Sequence, residues 1–289
     1  MIETIYGRHP VEEVLQAGRR KVHRVLIMRG RTLPVSIRQL AEQSSVPVDQ
    51  VERLEIANEH QGLAALVDPY PYSSLDSLLQ KAAQAAEPPL LLILDQVQDP
   101  QNLGTLLRAA EAVGVHGVLL PLRGAAGVTP AVVKASAGAC EHLWIARENL
   151  AQAIRQLKRE NVWIAGLENS PAAERIDQIG LQGPLALVVG SEGQGLRRLV
   201  RESCDFLVRI PMRGRVGSLN AAVAGSLALY EVWRRLGYRG EPLDSAPLDS
   251  ARGRRDKPLD LARDMPAKEP PTRERPRKKA IAPEDNVND

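Results

Sequence analysis

Gly190-Ser191-Glu192-Gly193-Gln194-Gly195-Leu196 follows directly on the apolar run Leu185–Val189, and this junction indicates the fold. An apolar run of this length, bounded by turn residues, is typical of a fully buried strand. Two further polar segments stand at, or just beyond, the end of an apolar run. They are Asn102-Leu103-Gly104-Thr105-Leu106-Leu107-Arg108, and Ile210-Pro211-Met212 with Ser218-Leu219-Asn220. Together, in this order, the three segments predict one site assembled from three loops.

The composition limits the class of protein. The chain has 289 residues, 44% of them hydrophobic, which is enough for a soluble protein of two domains with a real core. Its formal net charge of +3 permits a nucleic-acid partner without requiring one. Aromatic residues make up 3%, so we expect any RNA contact to use Arg, Lys and backbone groups rather than stacked rings.

Membrane, metal and secretory features are not expected. No apolar run approaches the roughly 18 residues of a membrane span, and the N-terminus lacks the charged-then-apolar pattern of a signal peptide. Cys140 and Cys204 are the chain's two cysteines, which favours reduced thiols and a cytoplasmic location over a disulfide scaffold. The five histidines are scattered, so no metal site is predicted.

Residues 1–70 are predicted to form a small α/β domain. Helices are predicted at Val11–Ala17 and Val35–Ser44, strands at Val22–Met28 and Leu63–Val67, and either structure at Gln50–Ala57. Residues 71–89 are predicted to be a linker that holds one helix, Leu75–Ala86, between proline-containing flanks.

Residues 90–239 alternate between predicted strands and helices. The strands are Leu90–Asp95, Val118–Pro121, Leu143–Ile145, Val162–Leu167, Leu185–Val189 and Phe206–Ile210. The helices are Leu103–Val113, Pro130–Ser136, Leu150–Glu160, Arg197–Ser203 and Leu219–Leu236. This alternation predicts a mostly parallel sheet covered by helices on both faces.

Residues 240–289 differ in composition from the rest. From residue 241 onward they hold eight of the 21 prolines and a balanced mixture of charges. Such a segment buries too little apolar surface to offset the entropy lost on ordering, so we predict a disordered tail.

Asn102 and Arg108 allow two interpretations. In one, Asn102 is the N-cap of the helix that begins near Leu103, and Arg108 is an ordinary solvated side chain. In the other, both take part in a site. Gly104 favours the second interpretation, because glycine in a first turn weakens the helix and permits the close approach of another group.

The glycine-rich segment 190–195 is not a phosphate loop. No Gly-Lys-Ser/Thr follows it, and it lacks the spacing of the dinucleotide fingerprint. Its backbone groups could still bind a polar small molecule, and Glu192 is predicted to orient a neighbouring Arg or Asn. In the third segment, Ser218 or Asn220 is predicted to cap the last helix.

These segments resemble the motifs of the SpoU (TrmH-type) class of the SPOUT superfamily, which are S-adenosylmethionine-dependent RNA ribose 2′-O-methyltransferases. The stretch from residue 94 through residue 115 resembles the opening segment of the family's catalytic domain almost throughout, and the segment 134–139 resembles a further part of it. The segments 6–13 and 60–62 look like its ribosomal-protein-like substrate-binding domain. The two-domain combination is similar to enzymes that methylate a guanosine ribose in large-subunit (23S) ribosomal RNA, and it covers roughly residues 2–237.

The resemblance implies a trefoil-knotted catalytic domain and a homodimer whose site lies at the subunit interface. It also implies that the loops Val189–Gly195, Ile210–Arg215 and Ser218–Leu219 bind S-adenosyl-L-methionine, largely through backbone groups. The implied catalytic residues are Asn102, Arg108, Glu192, Ser218 and Asn220. The implied cofactor-binding residues are Val189, Gly190, Gly195, Ile210, Met212, Ser218 and Leu219.

The resemblance implies that Arg108 is the arginine to which the family's activation of the ribose 2′-oxygen is assigned. A free arginine stays protonated near neutral pH, so we expect an electrostatic role on a phosphate and on the developing alkoxide rather than a general base. Asn102 is expected to position Arg108 or the ribose, with Glu192 and Asn220 as supporting hydrogen-bond partners.

The N-terminal domain supplies the expected RNA contacts, Arg8, His9, Arg20 and Lys21, although these could also be an ordinary charged surface. Two alternatives to a ribosomal RNA methyltransferase stay open. One is a methyltransferase that acts on transfer RNA, and the other is a non-catalytic RNA-binding or ribosome-assembly protein of the same fold.

Overall fold

The computed structural model describes residues 2–56, 60–84, 87–180, 183–215 and 217–241. Residues 1–239 form one compact unit that contains two sheets. The predicted tail, 240–289, lies outside the described residues from position 242 onward. No helix in the described part of the chain is both long and apolar enough to cross a membrane.

The N-terminal sheet has four strands in the order β1-β4-β2-β3. Its elements are β1 (Glu3–Tyr6), α1 (Arg8–Ala17), β2 (Val22–Met28), α2 (Val35–Gln43), β3 (Val48–Val51) and β4 (Leu63–Val67). Strand β4 pairs antiparallel with β1 and β2, while β2 and β3 are parallel. The helices bury Val11, Val14 and Ile37 in the same core as Ile5 and Val25 of the sheet.

The second sheet has seven strands in the order β7-β6-β5-β10-β8-β11-β9, and every pairing in it is parallel. Its strands are β5 (Leu90–Leu94), β6 (Gly117–Pro121), β7 (Ile145–Glu148), β8 (Trp163–Leu167), β9 (Glu174–Arg175), β10 (Leu185–Val189) and β11 (Phe206–Arg209). Its helices are α3 (Leu75–Ala83), α4 (Pro100–Ala112), α5 (Pro130–Ala135), α6 (Leu150–Arg159), α7 (Arg198–Ser203) and α8 (Ala221–Arg235). The predicted mostly parallel sheet with helices is confirmed.

Helices cover both faces of this sheet, which explains the continuous apolar runs. On β5, Leu90, Leu92 and Leu94 pack into the core that α4 and α8 complete. The alternate residues Leu91 and Ile93 pack into a second core with α3, α6 and α7. Because successive side chains of a strand point to opposite faces, a strand buried on both faces needs an apolar residue at every position.

The starts of α4 and β7 differ from the sequence prediction. Helix α4 begins at Pro100, and its N-cap is Asp99, whose side chain accepts a hydrogen bond from the Gln101 backbone N–H at 3.1 Å. Asn102 is therefore not the cap, as one interpretation had it, but lies in the first turn. Residues Ala139–His142 form a 3₁₀ turn, so β7 begins at Ile145 and not at Leu143.

The shorter strands β1 and β9 were not predicted, since neither shows an apolar run long enough to mark it. The stretch Gln50–Ala57 contributes only the end of β3, and residues 57–59 lie outside the described residues. The predicted linker 71–89 also covers the second sheet, because Leu75 and Leu78 of α3 are buried in its core.

Arg20 ties the N-terminal part to the second sheet. Its side chain is 1% exposed and forms an ion pair with Glu141, which is fully buried. It also donates to Glu3 Oε2 at 3.2 Å and to the Asp68 carbonyl at 3.0 Å. Burial raises the pKa of Glu141, and the guanidinium of Arg20 opposes that shift. Arg20 is thus a structural residue, and its side chain is not exposed for the predicted RNA contact.

The two cysteines are free and buried in different cores, Cys140 on one face of the sheet and Cys204 on the other. Burial raises the pKa of each thiol to about 12, so both stay protonated near neutral pH.

Gly104 lies where α4 crosses α5. A Cβ at this position would stand 2.4 Å from the Ala135 Cβ and 2.9 Å from the backbone nitrogen of Ser136. The close approach predicted from this glycine is confirmed, and the group that approaches is a neighbouring helix.

We expect Gly104→Ala to lower the free energy of unfolding by about 1–3 kcal/mol, because the added methyl group overpacks the crossing of the helices. Alanine is the better helix former, so the loss would be steric in origin. Gly180→Ala is the matched control, since a Cβ there meets nothing within 4 Å. Urea unfolding of the two variants checks this, and equal stability of both would show that α4 can shift away from α5.

Candidate active site

A cavity of about 370 Å³ lies at the carboxyl edge of the parallel sheet. The loop after β5, the loop after β10 and the start of α8 enclose it. It is lined by Gln96–Asp99, Asn102, Ser191, Glu192, Gln194 and Ala221. The first two predicted segments and the start of the last helix therefore meet at one place.

Three predicted catalytic residues are joined by hydrogen bonds beside this cavity. The amide groups of Asn102 and Asn220 both donate to Glu192 Oε1. The Asn220 amide also lies 3.2 Å from Asn102 Oδ1. We call Asn102, Glu192 and Asn220 the amide–carboxylate cluster. The predicted support of Asn102 by Glu192 and Asn220 corresponds to these contacts.

The orientation of Asn220 follows from its position as the N-cap of α8. Its Oδ1 accepts hydrogen bonds from the backbone N–H groups of Ala222 at 2.9 Å and Val223 at 3.1 Å. Because the cap requires an acceptor on that side, the amide nitrogen must point the other way, toward Glu192. Of the two predicted caps, Ser218 and Asn220, the structure uses Asn220.

The loop after β10 is closed by a pair of backbone hydrogen bonds between Ser191 and Gly195, at 3.1 and 3.0 Å. A Cβ on Gly190 would stand 2.3 Å from the Gly195 carbonyl carbon, and Gly195 itself has a φ of +66°. Both glycines are needed for this narrow turn. The turn holds Glu192 against the two asparagines.

Asp95 anchors the same edge, although it was not among the predicted site residues. It is fully buried, and its carboxylate accepts from the Arg197 backbone N–H at 2.8 Å and from Arg197 Nε at 2.6 Å. Its own N–H donates to the Val189 carbonyl. The sequence did offer a signal for Asp95: an acidic residue directly after the buried apolar run Leu90–Leu94 must have a partner if it is buried too.

The third predicted segment lies at the carboxyl end of β11. Met212 and Leu219 are 37% and 39% exposed, and Ser218 is exposed as well. Within the described part of the chain, the backbone of residues 211–215 makes no hydrogen bond. Val216 lies outside the described residues. Val189 is buried at the end of β10, while Ile210 is half-buried.

Asn169 holds this segment to the end of β8. Its side-chain amide donates to the Gly217 carbonyl at 2.7 Å. The sequence offered no signal for Asn169, because one polar residue in a loop is common; its importance comes from β8 lying between β10 and β11.

Arg108 does not join the amide–carboxylate cluster. It is exposed on α4 and makes no hydrogen bond or ion pair with any residue that the structure describes. Six positions separate it from Asn102, which corresponds to about 9 Å along the helix axis and about 120° around it. Of the two roles expected for Asn102, positioning Arg108 is therefore not seen within one chain.

The remaining predicted RNA contacts are exposed on the N-terminal part. Arg8 and His9 open α1, where the Arg8 N–H donates to Gln61 Oε1 at 3.0 Å, and Lys21 begins the approach to β2. No cluster of three or more His, Cys, Asp or Glu side chains that could hold a metal is found among the described residues.

Comparison with known proteins agrees with this arrangement. A sequence profile of the SpoU rRNA methylase family matches residues 89–230, and one for RNA 2′-O ribose methyltransferase substrate binding matches residues 4–73. YacO of Bacillus subtilis, named as a TrmH family tRNA/rRNA methyltransferase, is 42% identical over 247 residues, which cover 82% of this chain and 97% of YacO. The chain belongs to the SpoU (TrmH) family of RNA methyltransferases.

Solved structures of SpoU-type enzymes share the fold. The SpoU methyltransferase AviRb of Streptomyces viridochromogenes superposes with a TM-score of 0.69 at 25% identity, covering 82% of this chain and 91% of AviRb. An AdoMet-bound rRNA methyltransferase of Sinorhizobium meliloti gives a TM-score of 0.67 at 25% identity, covering 81% and 88% of the two chains. The predicted SpoU family and enzyme class are confirmed, and the alternative of a non-catalytic protein loses its support.

The double role of Asn220 can be separated by two substitutions. Asn220→Asp keeps the cap, because Asp and Asn are about equally good N-caps, but it places a second carboxylate against Glu192. Repulsion raises the pKa of the introduced carboxyl above its unfolded value, so the variant's stability falls as the pH rises. We expect urea unfolding to show wild-type stability near pH 4.5 and a loss of about 1 kcal/mol at pH 7.5.

Asn220→Ala is the matched comparison. It removes the cap and should cost about 1 kcal/mol at both pH values, since no titrating group is added. A pH-independent difference between wild type and Asn220→Asp would show that the side chain at position 220 does not face Glu192.

Proposed function

We propose that this protein transfers a methyl group from S-adenosyl-L-methionine to the ribose 2′-hydroxyl of a guanosine in large-subunit ribosomal RNA. The observation that carries the proposal is the amide–carboxylate cluster beside an open cavity, in a chain of the SpoU family. The substrate-binding match over residues 4–73 supports the ribose 2′-oxygen as the acceptor.

The loops at the carboxyl edge fit the cofactor. Residues 211–215 offer backbone donors and acceptors that are not paired with any described residue, and Met212 and Leu219 offer exposed apolar surface beside them. This combination suits a ligand with a polar edge and an apolar face. The residues proposed to hold the cofactor are Val189, Gly190, Gly195, Ile210, Met212, Ser218 and Leu219. Bound S-adenosylmethionine would supply an electrophilic methyl group on a sulfonium.

The amide–carboxylate cluster is proposed to position the ribose. Glu192 Oε1 accepts from both asparagines, while its second oxygen makes no hydrogen bond with a described residue. That oxygen is available to accept a hydrogen bond from the ribose hydroxyl and to hold it for attack. Ser218, exposed at the same edge, is proposed to assist by hydrogen bonding.

Arg108 is proposed to act on the RNA rather than on Asn102. Its guanidinium is exposed and can hold a phosphate in a forked geometry while it stabilises the developing alkoxide. Arg8, His9 and Lys21 are proposed as further RNA contacts.

A homodimer is proposed from an apolar stripe along α8. Leu219, just before the helix, and Val223, Leu227 and Tyr230 within it are 39–51% exposed. Their spacing puts them on one helical face, opposite the residues that pack on α4. A contiguous exposed apolar face of this kind is typical of an interface between copies. The trefoil knot and the cytoplasmic location stay predictions.

Mapping of 2′-O-methylation in ribosomal and transfer RNA from cells that lack this protein tests the proposed function. We expect one large-subunit guanosine to lose its methyl group. A loss confined to transfer RNA would replace the proposed target by the alternative one. An unchanged map, together with no calorimetric binding of S-adenosylmethionine, would favour a non-catalytic protein.

Arg108→Ala is expected to lower kcat for methyl transfer by about 10²–10³-fold without changing the Kd for S-adenosylmethionine. Arg108→Lys should recover little of this, because lysine offers a point charge instead of a planar fork. Arg155→Ala, at an exposed arginine on α6, is the control. If Arg108→Lys keeps most of the rate, the role given to the guanidinium shape is wrong.

Leu227→Glu is expected to convert the dimer to a monomer, because it places a charge in the centre of the apolar stripe. Leu199→Glu makes the same change at a leucine of α7 that is 60% exposed, and should leave the dimer intact. Sedimentation equilibrium measures both, and a monomeric wild type would overturn the dimer proposal.

A further inference from the structure

The cavity beside the amide–carboxylate cluster has an unusual balance of charge for a protein that binds RNA. Two carboxylates, Asp99 and Glu192, line it together with the amides of Gln96, Gln98 and Gln194. None of the described residues that line it is cationic. A phosphate placed there would be repelled, so the cavity suits a neutral ligand rich in hydrogen-bond donors.

Its size suits a base with part of its sugar. About 370 Å³ lies at the lower end of the roughly 300–1,000 Å³ typical of sites for small molecules. Enzymes that act on a base, and proteins that read single-stranded RNA, bind an unstacked base in such a pocket through its Watson–Crick edge.

We propose that this cavity binds the base of the nucleotide that is methylated, and that Asp99 accepts hydrogen bonds from the Watson–Crick edge of guanine. The proposal rests on the proposed function and deepens it by assigning base selectivity to named residues. Among the four bases, guanine alone presents two adjacent donors on that edge, N1–H and the N2 amine. A carboxylate accepts such a pair with one lone pair on each of its two oxygens.

Each carboxylate oxygen of Asp99 keeps a lone pair that no described residue uses, because an oxygen can accept two hydrogen bonds. As the N-cap of α4 it uses Oδ1 to accept from the Gln101 backbone N–H, and its side chain is exposed. Its other oxygen makes no hydrogen bond within the described part of the chain. The cap also fixes the carboxylate on the wall of the cavity, three residues before Asn102 of the amide–carboxylate cluster. Base selection and ribose positioning are thereby linked through one helical turn.

The loop Leu122–Val128 supports the wall next to Asp99. The Ala126 N–H donates to the Val97 carbonyl at 2.9 Å, and the Gln98 amide reaches the Gly124 carbonyl at 3.4 Å. These contacts hold the segment 96–99 in place, while the side chain of Asp99 lines the cavity.

Asp99→Asn tests the assignment, because asparagine keeps the cap but exchanges one acceptor for a donor. Unmodified transcripts of large-subunit and transfer RNA are methylated with labelled S-adenosylmethionine and digested to nucleosides. The 2′-O-methyl derivatives of the four bases are then quantified. We expect wild type to yield mainly 2′-O-methylguanosine, and Asp99→Asn to lower its rate of formation about tenfold or more relative to the other three. Glu111→Gln removes a charge from the exposed face of the same helix and should leave the base preference unchanged.

The Kd for S-adenosylmethionine, measured by calorimetry on the full chain, separates the remaining outcomes. We expect Asp99→Asn to leave it unchanged. A weaker affinity for S-adenosylmethionine with an unaltered base preference would assign the cavity to the cofactor and overturn this inference. An unaltered base preference with unaltered affinity would overturn it as well. A wild type that forms no 2′-O-methylnucleoside would refute the proposed function itself, and this assignment with it.

Discussion

The complete burial of the central strands is the constraint on which the rest of the molecule depends. Strand β10 lies between β5 and β8, with apolar side chains packed on both faces. A strand so enclosed can place polar groups only where it ends. Because all the pairings are parallel, the ends of β5, β8, β10 and β11 open at one edge, and Asp95 joins two of those ends through Val189. The polar side chains of the site are gathered there for that reason.

Much of this was accessible from the sequence. Runs such as Leu90–Leu94 and Leu185–Val189 predict fully buried strands, since a continuous apolar run matches burial of both faces. The three polar segments were correctly expected to converge, at least for Asn102, Glu192 and Asn220. The start of α4 was misplaced because Asp99 and Asn102 are both good capping residues. Only Pro100, at the first helical position, distinguishes the two, by favouring a cap at the preceding residue.

Other features could not have been predicted from the pattern. Arg20 is a basic residue next to other basic residues, a pattern that suggests a surface RNA contact. Its burial depends on Glu141, a carboxylate 121 positions away. Asn169 matters only because β8 lies between β10 and β11, which is a property of strand order and not of local sequence. Arg108 was placed in the site with Asn102 by resemblance to the family, whereas helical geometry turns the two side chains apart within one chain. In each case the missing information is a long-range or three-dimensional relation.

The ion pair of Arg20 with Glu141 has a consequence for how the enzyme would select a nucleotide in its RNA substrate. The pair is buried, and residues of both sheets share one hydrophobic core, so the N-terminal part and the second sheet pack as one compact unit. Under the proposed function, an RNA held by Arg8 and His9 meets the cavity at a constant separation. The fixed distance between these residues and the cavity would then help to determine which nucleotide is methylated.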